Sequence, residues 1–154
     1  MRSSFILLLS ALPFALLPLT AADKPKPEIF RGQVVPLADV LKKDKIDLDP
    51  DAKPHWLALQ TDDGKVYPLV KDEGARPFFR DPRLLKRPMS IQGRLVAGSS
   101  LLQVFQVQSV KDGKLHEVFY WCEICAIRRH SHDEKGICDC CGGPMELREK
   151  AVEK

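Results

Sequence analysis

Two Cys-x-x-Cys pairs, Cys122-Glu123-Ile124-Cys125 and Cys138-Asp139-Cys140-Cys141, stand in the last third of this chain. Twelve residues separate them. Two such knuckles can bring four sulfurs to one point, the donor set of a tetrahedral soft or borderline metal. Gly142-Gly143 follows the second knuckle and relieves the tight turn that aims backbone N–H groups at the thiolates. The C-terminal part of the fold is therefore expected to be organised around sulfur, with Cys122, Cys125, Cys138 and Cys141 as ligands. Zn²⁺ is the expected ion; Cu⁺ or iron accept the same donors.

The other end reads as an export signal. Arg2 is followed by an apolar run from Phe5 to Leu19, and then by the small residues of Thr20-Ala21-Ala22 before Asp23. The run is shorter than the ~20 residues a spanning helix needs, and Pro13 and Pro18 interrupt it. Residues 1–22 are thus expected to be cleaved, which places the mature protein in the periplasm or outside the cell, with no stable membrane insertion. Cleavage leaves 132 residues, enough for one small domain with an appendage. The only charge removed is Arg2, so the net charge falls from +3 to +2. So balanced a chain has no electrostatic drive toward nucleic acid, and export is expected to take it away from genomic DNA and RNA. An envelope protein or a small ligand is the expected partner.

Export bears on the cysteines too. All five lie between 122 and 141, and oxidising compartments favour disulfides. Two bridges or four metal thiolates each leave one thiol over, so the count does not choose. The paired spacing favours metal. Cys140 is the odd sulfur, and His130 and His132 in the intervening loop are further donors or part of a solvated polar stretch.

Between the two ends, residues 23–28 form a charged, Pro-rich, flexible leader. Strands are expected at 29–35, 55–61, 65–70, 89–96, 101–110 and 115–121, with short helices at 36–43 and 76–87. Asp63-Gly64 and Asp112-Gly113 are tight-turn signals, and Pro68 puts the third strand at an edge. Met89, Ile91, Gly93 and Leu95 alternate with Ser90, Gln92 and Arg94. Asp47, Asp49 and Asp51 are spaced like calcium ligands but lack that loop's Gly and distant Glu, and read as a solvated connector. Three strands, a short helix and two strands match a small OB-like β-barrel over 29–118. A zinc-ribbon-like, four-Cys tail over 119–148 and a disordered end at 149–154 complete the chain. The fold class is mainly β.

On such a barrel His55, Trp56, Lys65 and Tyr67 are the candidate ligand face, and Arg76, Arg80, Arg83, Lys86 and Arg87 a basic cluster able to meet an acidic partner. No nucleophile–base pair, carboxylate pair or phosphate loop stands out. Four thiolates also close a zinc shell, leaving no place for a catalytic water. The expected function is non-enzymatic: a zinc-stabilised binding or interaction module of the cell envelope. Metal handling, or thiol–disulfide exchange at Cys122 and Cys125, are the alternatives.

Tyr120-Trp121-Cys122-Glu123-Ile124-Cys125, Gly136-Ile137-Cys138-Asp139-Cys140-Cys141 and Pro144-Met145-Glu146-Leu147 resemble small secreted bacterial proteins of unknown function. In those, an OB-like domain precedes a Cys-x-x-Cys tail. The same stretch is similar to the short heavy-metal-binding domain attached to metal exporters, which implies a soft-ligand role for Met145. It departs from that domain in lacking Cys-Pro pairs and a His after the first knuckle, and in inserting Gly142-Gly143-Pro144.

Overall fold

The computed structural model describes residues 26–153. The expected signal at 1–22 and the start of the leader lie outside them. Among the described residues no helix is long and apolar enough to cross a membrane.

Alternation builds the first half of the sheet. In β1, Glu28–Pro36, the inward positions are Phe30, Gly32 and Val34, and polar residues intervene. Pro36 ends the strand and caps a five-residue helix, α1, Leu37–Leu41. The acidic connector follows, and Lys53 pairs with Asp47 at 3.0 Å. β2, Leu57–Thr61, and β3, Val66–Pro68, form the hairpin that Asp63-Gly64 signals, with Gly64 in the left-handed region (φ +84°) and its N–H bonded to Thr61 O at 2.9 Å.

The expected helix over 76–87 is broken in two. α2 spans Arg76–Arg80, and a separate 3-10 turn spans Pro82–Leu84. Pro82 clashes with a helical predecessor and pushes Asp81 into extended backbone (φ −126°, ψ 101°), so no continuous helix can form. Each piece still delivers an apolar plug, Phe78 and Leu84, into the core beside Leu59, Met89 and Ile91.

β4, Pro88–Leu95, and β5, Leu102–Lys111, pair with a register shift at Gln92/Gly93, opposite the bulged Phe105. A Cβ at Gly93 would stand 2.5 Å from Gln103 O, so this close approach needs glycine. Asp112 and Gly113 both take positive φ, the tight two-residue turn that joins β5 to β6, Lys114–Cys122. The short β7, Ile127–Arg129, and β8, Glu146–Ala151, complete one sheet in the order β3-β2-β1-β4-β5-β6-β7, with β8 on the other side of β6. All its ladders are antiparallel.

Two expectations change here. The sheet does not close into a barrel. Beyond Pro68, which has no N–H to donate, only Leu69 makes an isolated parallel bridge to Leu102, with Val70 N bonded to Leu102 O at 2.9 Å. A three-residue β3 that ends on proline cannot propagate a ladder. Second, the boundary expected at 118/119 falls inside β6, and in the end expected to be disordered at 149–154 the first three residues are strand, up to Ala151. β6 belongs to the sheet and to the cysteine segment at once.

Candidate metal centre

β6 delivers the first ligand by its own pleat: Val118, Tyr120 and Cys122 point inward from alternate positions, and Tyr120 and Cys122 are fully buried. The chain then turns through residues 123–126 and returns as β7, with Ile127 opposite Cys122. Ala126 takes a left-handed φ of +51° to make this turn. The equivalent place after the second knuckle is Gly142, at +71° without strain. Around that knuckle Cys138 N donates to Gly143 O and Gly142 N to Cys138 O, both at 2.8 Å. Ile137 bridges Pro144, and β8 begins at once, with Glu146 opposite Trp121. The knuckles meet at Gly143, where a Cβ would lie 2.5 Å from Ile124 Cδ1 and 3.3 Å from Cys141 Sγ.

These folds bring the sulfurs of Cys122, Cys125, Cys138 and Cys141 within 4.8 Å of one another. The Cys122–Cys141 separation is 3.5 Å. Four thiolates at ~2.3 Å from a tetrahedral ion stand about 3.8 Å apart, whereas a disulfide needs ~2.05 Å. All five cysteines are free thiols. The donor set fits a thiophilic ion and does not distinguish Zn²⁺ from Cu⁺ or iron.

The four are not equivalent. Cys122 and Cys138 are buried, Cys125 is half-buried, and Cys141 is exposed, as is Cys140. The backbone amides of Cys140 and Cys141 point at Cys138 and bring its thiol down to about 7, so this ligand reaches thiolate near neutral pH. At Cys122 the Cys125 amide favours the thiolate, but burial and the Cys141 and Cys138 sulfurs outweigh it and the thiol sits above its ordinary value. Contacts with the Cys141 and Cys140 sulfurs, then burial, hold Cys125 well above its ordinary value. Crowded thiols that resist ionisation one by one are the situation a cation relieves.

The remaining sequence candidates are placed elsewhere. His130 Nε2 lies 3.1 Å from Gly74 O, and His132 sets its ring edge-on against Tyr120, 4.5 Å between centroids. Both position the loop between the knuckles and stand outside the sulfur group. Met145 is buried with Tyr120, Cys122 and Cys138 in a small second core. The expected ligand face is split. His55 and Trp56 line a 290 Å³ cleft with Lys71 and Leu101, while Lys65 pairs with Asp63 and Tyr67 packs edge-on against Phe30 in a separate open groove. The basic cluster is largely consumed by the protein itself: Arg80 pairs with Glu134, Arg83 with Asp81, Lys86 with Asp39 and Arg87 with Glu149.

Sequence reasoning passed over the group that fastens the metal strand to the sheet. Asp81, 3 % exposed, accepts from Tyr120 Oη at 2.9 Å and from the Arg83 guanidinium at 2.7–3.1 Å. Burial opposes its charge, but the Arg83 side chain and amide and the Tyr120 hydroxyl prevail and hold the carboxyl below its ordinary value. A tyrosine on the inward face of a strand needs a partner for its hydroxyl, and that was the available signal.

Comparison with protein-family models, curated proteins and solved structures found no match to this chain. The resemblances drawn from the knuckles therefore rest on the cysteines, and the cysteines are where the structure supports a site.

Proposed function

We propose that this chain is an exported, non-enzymatic protein of the cell envelope that holds one thiophilic metal ion, Zn²⁺ foremost, and serves as a binding or interaction module. The observation that carries it is the convergence of four cysteine sulfurs on one point at ligand spacing. Four thiolates complete a tetrahedral shell and leave no coordination position for water, which supports a role other than hydrolysis. Export is supported by the sequence of residues 1–22 alone.

Metal handling is the second reading, and a specific observation favours it. The cysteine segment does not depend on an ion for all of its order. β8 pairs with β6 over six positions, from His116–Ala151 to Trp121–Glu146, and Tyr120 is tied to Asp81. An ion can then leave without unravelling the sheet, as a handling site requires. Thiol–disulfide exchange at Cys122 and Cys125 is disfavoured, because reactive cysteines are accessible with lowered pKa values, whereas Cys122 is fully buried and both thiols are raised.

Native mass spectrometry of the mature protein, isolated from its exported compartment without added metal, tests the proposal. One bound ion with unbridged cysteines supports it and names the ion. A metal-free mass lower by about four daltons, from two disulfides, overturns it.

A further inference from the structure

Where β3 stops and the sheet fails to close, a cleft of 290 Å³ lies beside the single Leu69–Leu102 bridge. Leu69, Val70, Leu101 and Trp56 line it with apolar surface, and His55 and Lys71 are its polar side chains. The backbone around it is fixed at three places. Leu37 N donates to Trp56 O at 3.0 Å, Leu69 N to Leu57 O at 2.9 Å and Val70 N to Leu102 O at 2.9 Å. The cleft is therefore formed before any ligand arrives, as small-ligand sites usually are. Trp56 still leaves 44 % of its surface exposed, an apolar area that a ligand packed against it would remove from water.

The Lys71 ammonium is held beside this cleft by two aromatic groups. Its Nζ lies 3.0 Å from His55 Nδ1 and 5.2 Å from the centroid of the Phe79 ring. An ammonium has only donors, so the bond runs from Lys71 to His55 and leaves further N–H groups free. Among the described residues no carboxylate is paired with either side chain. The adjacent Asp72 is engaged elsewhere: its Oδ1 accepts from Ala75 N and its Oδ2 from Gln103 Nε2. A cation positioned at an apolar cleft thus stands without a counter-ion. We propose that the cleft binds a small aryl carboxylate, whose ring packs against Trp56 and the leucines while its carboxylate pairs with Lys71 Nζ. Charge complementarity selects the anion. The cleft's size and apolar lining select one ring-sized body, and the flat indole favours an aromatic one. This rests on the binding role proposed above, to which it gives a place and a ligand class, and it uses no residue of the sulfur centre.

Isothermal titration calorimetry of the mature protein with 1-naphthylacetate, its uncharged amide and plain acetate is the test. The aryl acid is expected to bind with a dissociation constant of about 1 mM or lower, and the amide about tenfold more weakly. Acetate carries the charge without the ring and should not saturate. Lys71→Met should make acid and amide bind alike, and Trp56→Ala should weaken both about tenfold. Both positions are exposed, and far-UV circular dichroism confirms that folded variants are compared. Equal affinity for acid and amide in the unaltered protein overturns the proposal. So does an aryl acid that fails to saturate by about 10 mM, or a pair of variants that bind as the parent does. A peptide ending in tryptophan that binds about tenfold more tightly than the aryl acid also overturns it, in favour of a chain terminus as occupant. Elemental analysis of the same samples keeps the two readings apart. Metal-free protein that still tells acid from amide loses the metal reading and keeps this one.

Discussion

The hydroxyl of Tyr120 donates to the carboxylate of Asp81 across 2.9 Å, in a buried contact between residues far apart in sequence. Tyr120 stands two positions before the first metal ligand on the same face of β6, and Asp81 is the extended residue at which the helical segment divides in two. The bond joins the strand that carries the cysteines to the connector that plugs the core. Tyr120→Phe removes the donor and leaves Asp81 with Arg83 alone. It should destabilise the protein by about 1–3 kcal/mol, read as a lowered midpoint in urea with an unchanged slope.

Asp81 also gives the protein an acid-sensitive element. Its carboxyl titrates below its ordinary value in the folded state, so it contributes stability above the unfolded pKa and loses it as pH falls through the folded one. Asp81→Asn should therefore cost stability at neutral pH, and the gap between variant and parent should narrow below about pH 4. Denaturant titrations of both proteins from pH 7 to pH 3 check this; a gap that stays constant would count against it.

Ala126 makes the first knuckle's turn at φ +51°, where a Cβ is crowded by the following carbonyl. The second knuckle meets the same demand with Gly142. Ala126→Gly should relieve roughly 1 kcal/mol of strain, offset in part by the freer unfolded chain. The expected result is a small rise in thermal midpoint, with metal content unchanged.

Cys122 and Cys141 should respond differently to substitution by serine. Cys122 is fully buried between Tyr120 and the other sulfurs, so Cys122→Ser both removes a ligand and buries a hydroxyl without a designed partner. It should abolish metal binding and lower stability. Cys141 is exposed, and Cys141→Ser should weaken metal binding while leaving the metal-free protein about as stable as its parent. Metal content by elemental analysis and unfolding curves with and without chelator separate the two effects.

Gly74 lies where the connector crosses β5. A Cβ there would stand 1.8 Å from Val104 O, a backbone atom that cannot move aside. Gly74→Ala should lift the connector and with it the carbonyl that contacts His130, at a cost of about 1–3 kcal/mol. Unfolding curves check the cost, and an alanine tolerated without loss would count against so close a crossing.

What could be read from the sequence was what local chemistry encodes. The pleats of β1 and β4 show as alternation, the Asp63-Gly64 and Asp112-Gly113 hairpins show as turn chemistry, and the sulfur cluster shows because its spacing is local. Features set by distant partners did not show. β8 is Glu-Leu-Arg-Glu-Lys-Ala, whose single large apolar residue gives no periodic signal; it is a strand because β6 offers it an edge. β7 is three residues long and exists only as the return of the knuckle. The open sheet follows from where β3 stops, and Pro68 marked that edge without marking its consequence for closure.

The Trp121–Glu146 pair gathers residues 122–145 at their base, and every cysteine lies within them. Forming a loop of that size from open chain costs about 3 kcal/mol of entropy, and here the β6–β8 ladder meets that cost before an ion arrives. The ligands then behave less like four separate thiols than like the arms of a macrocycle, whose hold on a cation is strengthened by having been bent into shape beforehand.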